Sequence, residues 1–222
     1  MVAHDAAHAA DAIRLAATML GGVAADQLPR FQAIIEQQVM HLTRLVGDLL
    51  DVSRVGVGKL RIECRPVNLL DVLDEAMVAS RPAVDARLQH LSLRLPLQRL
   101  EVQADAMRLV QVFTNLLGNA SKFTPEGGEV GLKVQGEGDS VVVTVSDTGI
   151  GISAEALSHI FDPFVQDARA VVVSGAGLGL GLTVVRELVH AHGGRVVARS
   201  PGIGGGSEFV VSLPLAHAAV PE

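Results

Sequence analysis

The sequence predicts an α+β protein in which an N-terminal helical hairpin precedes an α/β sandwich with helices on one face of a mixed sheet. Two observations lead to this fold class. Apolar residues between positions 35 and 49 recur at spacings of four and three, as in helices that pack against other helices. Beyond residue 60, strand-like and helix-like segments follow each other along the chain. The glycine-punctuated stretch VGVGK at 55–59 separates the two patterns, which divides the chain into domains at 1–57 and 58–222.

The first domain is predicted to consist of two helices. Residues 6–20 are rich in alanine, Gly21 and Gly22 interrupt them, and Asp26 or Pro29 can begin the second helix. The apolar seam of the second helix consists of Ile35, Val39, Leu42, Val46 and Leu49. One hairpin offers too little surface to bury this seam, so we expect two copies of the chain to form a four-helix bundle. Packing of the hairpin on the second domain of its own chain is the alternative.

The second domain mixes both periodicities. Its pattern predicts helices at 68–88, 105–122 and 178–192. Asn68 is a candidate N-cap of the first of these helices, and Gly193 and Gly194 close the last one. Strands are predicted at 90–95, 100–104, 129–135, 140–147, 194–200 and 207–213. Residues 136–139 form a predicted hairpin turn between two of these strands.

The composition excludes several functional classes. Hydrophobic residues make up 49% of the chain and Trp and Tyr are absent, so the core must be aliphatic. The formal charge is -6 and there is no strongly basic stretch, which disfavours a nucleic-acid partner. Cys64 is the single cysteine, which fits a reducing compartment. No apolar run reaches the roughly 18 residues of a membrane span, and no signal-peptide pattern is present. We therefore expect a cytoplasmic chain without direct membrane insertion.

Two glycine-rich turns and a pair of asparagines predict a nucleotide site. DTGIGI at 147–152 follows a predicted strand, and GAGLGLGL at 175–182 precedes a predicted helix, where backbone amides favour phosphate. Asn115 and Asn119 lie one turn apart on one helical face, and neutral amide oxygens suit a Mg²⁺ ion that phosphate already neutralises. Lys122 lies close enough to meet a phosphate, and Asp147 could accept from the amine of a purine. Each feature alone also fits a tight turn or a satisfied core group.

The motifs resemble those of a sensor histidine kinase core. The second domain resembles the ATP-binding domain that this family shares with gyrase, the Hsp90 chaperones and MutL. RLVQVFTNLLGNASKFT (108–124) resembles the N box, and DTGIGI resembles the G1 box. IFDPFVQ (160–166) resembles the F box, and GAGLGLGLTVVRELVHAHGGRV (175–196) resembles the G2 box with its helix. IIEQQVMHLTRLVGDLLDVSR (34–54) resembles the second helix of the dimerisation and phosphotransfer domain.

This resemblance implies that ATP and Mg²⁺ are bound. Asn119, helped by Asn115, would hold Mg²⁺, Lys122 would contact phosphate, and Asp147 would read adenine. The further positions implied are Gly149 and Gly151 beside the base, Phe161 and Phe164 as anchors of a lid at 166–174, and Gly175, Gly177, Leu178, Gly179, Leu180 and Gly181 around the triphosphate. ATP-hydrolysing relatives have a glutamate where Asn115 stands. Because an amide cannot act as a general base near neutral pH, the residues favour a kinase over an ATPase.

The resemblance also implies a phosphoryl acceptor within HDAAHAADAIRLAATML (4–20). His4 aligns with the acceptor and Asp5 with its acidic neighbour. Ala7, His8 and Ala9 stand where the family has an arginine, a polar residue and a proline. The implied function is a homodimeric histidine kinase that autophosphorylates and passes the phosphoryl group to a response-regulator receiver domain. Two alternatives stay open. One is a degenerate kinase that regulates a partner by docking without transfer, and the other is an anti-sigma-type serine kinase, which the N-terminal hairpin disfavours.

Overall fold

The computed structural model of the chain describes residues 62–165 and 179–216, together with residues 14, 15, 17, 18, 27, 28, 31, 32, 35, 36, 39, 43 and 47. All of the scattered N-terminal residues except Gln27 are helical. On the predicted seam, Val39 exposes 47% of its surface in the isolated chain. The seam residues Leu42, Val46 and Leu49 lie outside the described residues, as does the linker at 55–59. The hairpin and its pairing in a dimer therefore stay predictions.

Seven strands form two sheets in the second domain. They are β1 (Arg65–Asn68), β2 (His90–Arg94), β3 (Glu101–Ala104), β4 (Glu129–Glu137), β5 (Ser140–Asp147), β6 (Arg195–Arg199) and β7 (Ser207–Pro214). The main sheet has the order β2-β4-β5-β7-β6, in which β2 and β4 are parallel and the other neighbours are antiparallel. The mixed sheet is thus confirmed. β3 was predicted as a strand, but it pairs with β1 in a separate antiparallel ribbon.

Helices cover one face of the main sheet. They are α1 (Leu69–Ala86), α2 (Ala106–Phe123), α3 (Ala154–His159) and α4 (Gly181–Ala191). Along β5, Val141, Val143 and Val145 are buried, whereas Thr144 and Ser146 are half-buried on the opposite face. The buried valines join the apolar faces of α1, α2 and α4 in one core. No helix within the described residues combines the length and apolar character that crossing a bilayer requires.

Local capping signals decide where these helices begin and end. The Asn68 side chain accepts a hydrogen bond from the Leu70 amide at 3.4 Å, which confirms the predicted N-cap of α1. Asp105 caps α2 in the same way, by accepting from the Arg108 amide at 3.2 Å. Gly193 ends α4 with a φ of +70°, a left-handed conformation that glycine adopts without strain.

Three local predictions need correction. α4 begins at Gly181, later than the predicted Leu178, because Gly179 has a left-handed φ of +67° that a helix cannot include. The turn between β4 and β5 is shorter than predicted, since Glu137 still pairs with Ser140. β1 and α3 were not predicted. Both are short, and the Pro66 of β1 is atypical of strand interiors.

Candidate functional site

The asparagine pair lies on the half-buried side of α2. Leu116, Leu117 and Ala120 of α2 are buried in the core, while Asn115 and Asn119 are half-buried. The Nδ2 atom of Asn115 is buried and has no hydrogen-bond partner among the described residues. An orphaned buried amide costs about 1–3 kcal/mol. Such an atom fits a site that a polar ligand completes.

The start of α4 lies beside Asn115. A Cβ atom added to Gly181 would sit 3.9 Å from Cγ of Asn115. Leu180 is the N-cap of α4, and its side chain makes no capping hydrogen bond in this described segment. The first amides of α4 are therefore not capped by that residue, and they carry the partial positive charge of a helix N-terminus. This end of the helix suits a phosphate group.

Asp147 forms a second polar centre at the end of β5. Its Oδ1 accepts a hydrogen bond from the Gly149 amide at 2.8 Å, and its Oδ2 accepts one from Oγ of Ser207 at 2.5 Å. Burial raises the pKa of the Asp147 carboxyl above its usual range, and the hydrogen bonds from Ser207 and Gly149 partly oppose that rise. A carboxylate has about four lone-pair sites, and the donors from Gly149 and from the side chain and backbone of Ser207 leave one of them. The group can therefore accept a hydrogen bond from an exocyclic amine.

Ser207 is a site residue that sequence reasoning missed. It follows three consecutive glycines at the start of β7 and lies 60 positions beyond Asp147. The two residues are direct partners in the ladder between β5 and β7. Nothing local in the sequence marks this pairing, because it depends on the register of two strands.

The glycines after Asp147 have a structural role of their own. A Cβ atom on Gly149 would lie 2.5 Å from the carbonyl oxygen of Phe123, and one on Gly151 would overlap the carbonyl oxygen of Gly202. Gly151 also has a φ of +68°. These two glycines let segments of the protein's own backbone approach each other. The prediction that they lie beside a bound base stays a prediction.

The F box is attached to the start of α4 through backbone and side-chain contacts. The ring of Phe161 packs edge to face on the ring of Phe209, with 6.3 Å between the ring centroids. The backbone carbonyl of Phe161 accepts a hydrogen bond from Oγ1 of Thr183 at 3.0 Å. Phe164 has an exposed ring and a φ of +65°, and its amide donates to the carbonyl of Gly179 at 3.2 Å. Phe161 thus anchors this segment with its ring, and Phe164 does so with its backbone.

Lys122 lies in the last turn of α2, where a cation favours the helix dipole. Its Nζ atom lies 5.2 Å from the ring centroid of Phe123. The carbonyl of Phe123 accepts from the Ile150 amide at 3.1 Å, which joins the end of α2 to the loop after Asp147. The structure therefore brings the asparagine helix, this loop and the start of α4 together. His4, Asp5, Gly175, Gly177, Leu178 and the lid at 166–174 lie outside the described residues.

An open pocket of about 550 Å³ extends from Asp147 and Ser207 onto the opposite face of the main sheet. Its lining includes Gly131, Ser146, Arg199 and Glu208, which are in register with one another across β4, β5, β7 and β6. Asn115, Asn119 and the start of α4 do not line this pocket. Asp147 belongs both to this lining and to the predicted nucleotide site, and the position of a bound nucleotide stays a prediction.

Residues 104–217 match the family described as histidine kinase-, DNA gyrase B- and HSP90-like ATPase. The chain is 35% identical over 181 residues to the alginate biosynthesis sensor protein KinB of Pseudomonas aeruginosa, covering 82% of this chain and 30% of KinB. It is 34% identical over 194 residues to the histidine protein kinase DivJ of Caulobacter vibrioides, covering 87% of this chain and 32% of DivJ. The chain thus spans about a third of the length of these relatives.

Solved structures with the same architecture include full-length ShkA in complex with AMPPNP, with 33% identity and a TM-score of 0.70. That match covers 90% of this chain and 41% of ShkA. A nucleotide-free catalytic domain of the histidine kinase ThkA has 27% identity and a TM-score of 0.60, with coverage of 68% of this chain and 97% of that domain.

Proposed function

The chain belongs to the family of histidine kinase-, DNA gyrase B- and HSP90-like ATPases and carries a sensor histidine kinase core, and from this premise we propose that it binds Mg·ATP and phosphorylates a histidine of its own dimer. The supporting observation is that two polar centres lie on segments in contact, because the Phe123 carbonyl at the end of α2 accepts from the Ile150 amide. Asp147 is half-buried and held by Gly149 and Ser207, and Asn115 presents, beside Gly181, a buried amide nitrogen that has no partner among the described residues.

The residues on the helix-covered face fit an adenine nucleotide. We propose that Asp147 accepts the adenine amine, because its two oxygens are fixed and the carboxylate keeps one lone-pair site. The first turn of α4, which the Leu180 side chain does not cap, receives phosphate oxygens together with Gly179, Leu180 and Gly181. The proposal extends to Gly175, Gly177 and Leu178, which lie outside the described residues, as further triphosphate contacts.

The same face fits a magnesium ion. Asn119 and Asn115 supply neutral amide oxygens one helical turn apart, and Lys122 follows within the next turn to contact phosphate. If Asn115 bound the ion through its oxygen, its orphaned Nδ2 would be free to donate to a phosphate oxygen or to water. Bound Mg·ATP supplies the γ-phosphoryl group and neutralises much of the charge that develops during its transfer.

We propose His4 as the acceptor. A neutral imidazole is a competent nucleophile near pH 7, since its unperturbed pKa is about 6.5. A ring nitrogen forms the new N–P bond as the bond between the γ-phosphorus and the bridging oxygen breaks, and ADP leaves. Asp5 holds or accepts the proton of the other ring nitrogen. Asn115 cannot take a proton from water, so the site favours transfer over hydrolysis.

Assembly and the next acceptor follow from the same premise. The seam at 35–49 pairs two copies of the chain, and a response-regulator receiver domain receives the phosphoryl group from His4. The second candidate is a degenerate kinase that docks on a partner without transfer. The substitutions Ala7, His8 and Ala9 around His4 favour it, because they replace three residues of the family's acceptor motif.

Labelling separates these functions. The full chain, incubated with ATP labelled on its γ-phosphate, should acquire a label that acid removes, because phosphohistidine is acid-labile. His4→Gln should abolish the label, and His8→Gln should retain it as the matched control. A His4→Gln chain that labels fully would place the acceptor elsewhere. A chain that binds Mg·ATP but never labels would favour the degenerate kinase, and an acid-stable label would favour the serine kinase.

A further inference from the structure

Gln89 is a buried amide at the junction of α1 and β2, outside every motif of the nucleotide site. Gln89 exposes 6% of its surface. Its backbone amide donates to the carbonyl of Val84 at 3.1 Å, which ties it to the C-terminal end of α1. The preceding residue, Leu88, has a φ of +52°, so the chain turns sharply before Gln89. This turn directs the side chain towards the end of α2.

The side chain of Gln89 binds the last turn of α2 and the loop that follows. Its Nε2 donates to the carbonyls of Ser121 at 2.9 Å, Thr124 at 2.8 Å and Pro125 at 3.3 Å. Its Oε1 accepts from Oγ of Ser121 at 2.8 Å. The terminal carbonyls of a helix have no partner within the helix, and here one buried amide satisfies part of that set.

The end of α2 that Gln89 binds carries two residues of the proposed nucleotide site and contacts the loop beyond Asp147. Asn119 and Lys122 flank Ser121 on the last turns of α2. Phe123 accepts from the Ile150 amide at 3.1 Å, which connects the same segment to the loop beyond Asp147. A displacement of this turn would therefore move the proposed magnesium and phosphate groups relative to the proposed adenine group.

We propose that Gln89 is a positioning residue for Mg·ATP, which fixes the last turn of α2 so that Asn119 and Lys122 face the nucleotide. This inference rests on the proposed function. Asp147 itself is held by Gly149 and Ser207, outside the network of Gln89. Loss of the Gln89 side chain should therefore weaken the magnesium-dependent part of binding more than adenine recognition.

The test variant is Gln89→Met in the full chain. Methionine keeps the length and the packing of the side chain but cannot donate to the three carbonyls. The loop should remain attached, because the Gly127 amide donates to the Arg87 carbonyl and the His90 amide donates to the Gly128 carbonyl. Ser80→Ala is the matched control, since the hydroxyl of Ser80 is buried and unpartnered among the described residues.

The first measurement is hydrogen exchange on the nucleotide-free chain. The amides of Thr124 and Ile150, which donate to Ala120 and Phe123, should exchange at least about fivefold faster in Gln89→Met. Ser80→Ala should leave both rates unchanged. Equal exchange in Gln89→Met and the unaltered chain would overturn the inference without any reference to nucleotide.

The second measurement is the affinity for ATP by calorimetry, with Mg²⁺ and with a chelator. Gln89→Met should lower the affinity for Mg·ATP about tenfold and that for metal-free ATP less than threefold, because small misplacements of binding groups are costly. Ser121→Ala keeps all three carbonyl acceptors of Nε2 and should lose less than threefold in both. A parallel loss with and without metal would make Gln89 a general structural residue and overturn the inference. If the unaltered chain fails to bind Mg·ATP, the proposed function fails and this inference fails with it.

Discussion

Asp147→Asn is the sharpest test of adenine recognition. In the structure, Oδ1 accepts from a backbone amide and Oδ2 accepts from the Ser207 hydroxyl. The Gly149 amide can only donate, so the oxygen of an introduced asparagine must remain on that side. Its NH₂ group then faces Ser207, whose hydroxyl can turn and accept, whereas its backbone amide, which also donates to Asp147, cannot accept. One edge of the site thus changes from an acceptor to a donor.

The magnitude follows from that single reversal. A hydrogen bond to a charged group contributes about 1.5–3 kcal/mol, and the variant keeps one acceptor oxygen, so we expect the lower end of this range. The affinity for Mg·ATP should fall at least tenfold, or about 1.4 kcal/mol. Calorimetric titration measures it, with Asp74→Asn on the exposed face of α1 as the control. A loss of less than twofold in Asp147→Asn would refute the assignment of adenine to this carboxylate.

The same variant has a signature in stability. Burial raises the pKa of Asp147 above the ordinary 3.8, so the folded state binds the proton more tightly than the unfolded state. The free energy of unfolding that this group contributes is therefore present below pH 3.8 and is lost as pH rises through the folded pKa. Asparagine does not titrate. Asp147→Asn should gain stability relative to the unaltered chain as pH rises through that window, in denaturant melts at several pH values. A constant difference would contradict the raised pKa.

Three further predictions concern metal, assembly and the backbone. Asn119→Ala should weaken Mg·ATP binding at least tenfold, about 1.4 kcal/mol, while metal-free ATP binds as before; equal losses in calorimetry would remove Asn119 from the metal site. By light scattering at tens of micromolar, the full chain should be a dimer, because the apolar seam that includes Val39 needs a partner helix. A fragment that begins at Leu60 should be a folded monomer. A monomeric full chain would instead favour packing of the hairpin on its own second domain. Gly151→Ala should lower the free energy of unfolding by at least about 1–3 kcal/mol, because the φ of Gly151 is +68° and the added Cβ atom would overlap the carbonyl oxygen of Gly202. Gly136→Ala, with no atom within 4 Å of the added Cβ, should change little in the same melts.

The sequence predicted the three long helices and the main-sheet strands of the second domain. The signals involved act over a few residues: Asn68 and Asp105 cap helices within three positions, and Gly193 closes α4 one turn beyond its last core residues. The glycine and asparagine motifs indicated a nucleotide site because each motif also lies within a few consecutive residues. Asn115 and Asn119 share a face because of helical geometry alone.

The tertiary structure decided the features that depend on distant parts of the chain. Ser207 meets Asp147, 60 positions away in the sequence, because β5 and β7 pair in one particular register. Gln89 reaches Ser121 because α1 and α2 end at the same side of the core. Gly149 must be glycine because the backbone at Phe123 passes against it.

The physical reason for this division is the range of each interaction. Capping and periodicity are satisfied within one or two helical turns, so the sequence by itself determined α2, its asparagine face and the turns after Asp147. Strand register and the approach of Phe123 to Gly149 depend on burying apolar surface across the whole core at once. Only the packed structure could therefore add Ser207 and Gln89 to the residues that shape the site.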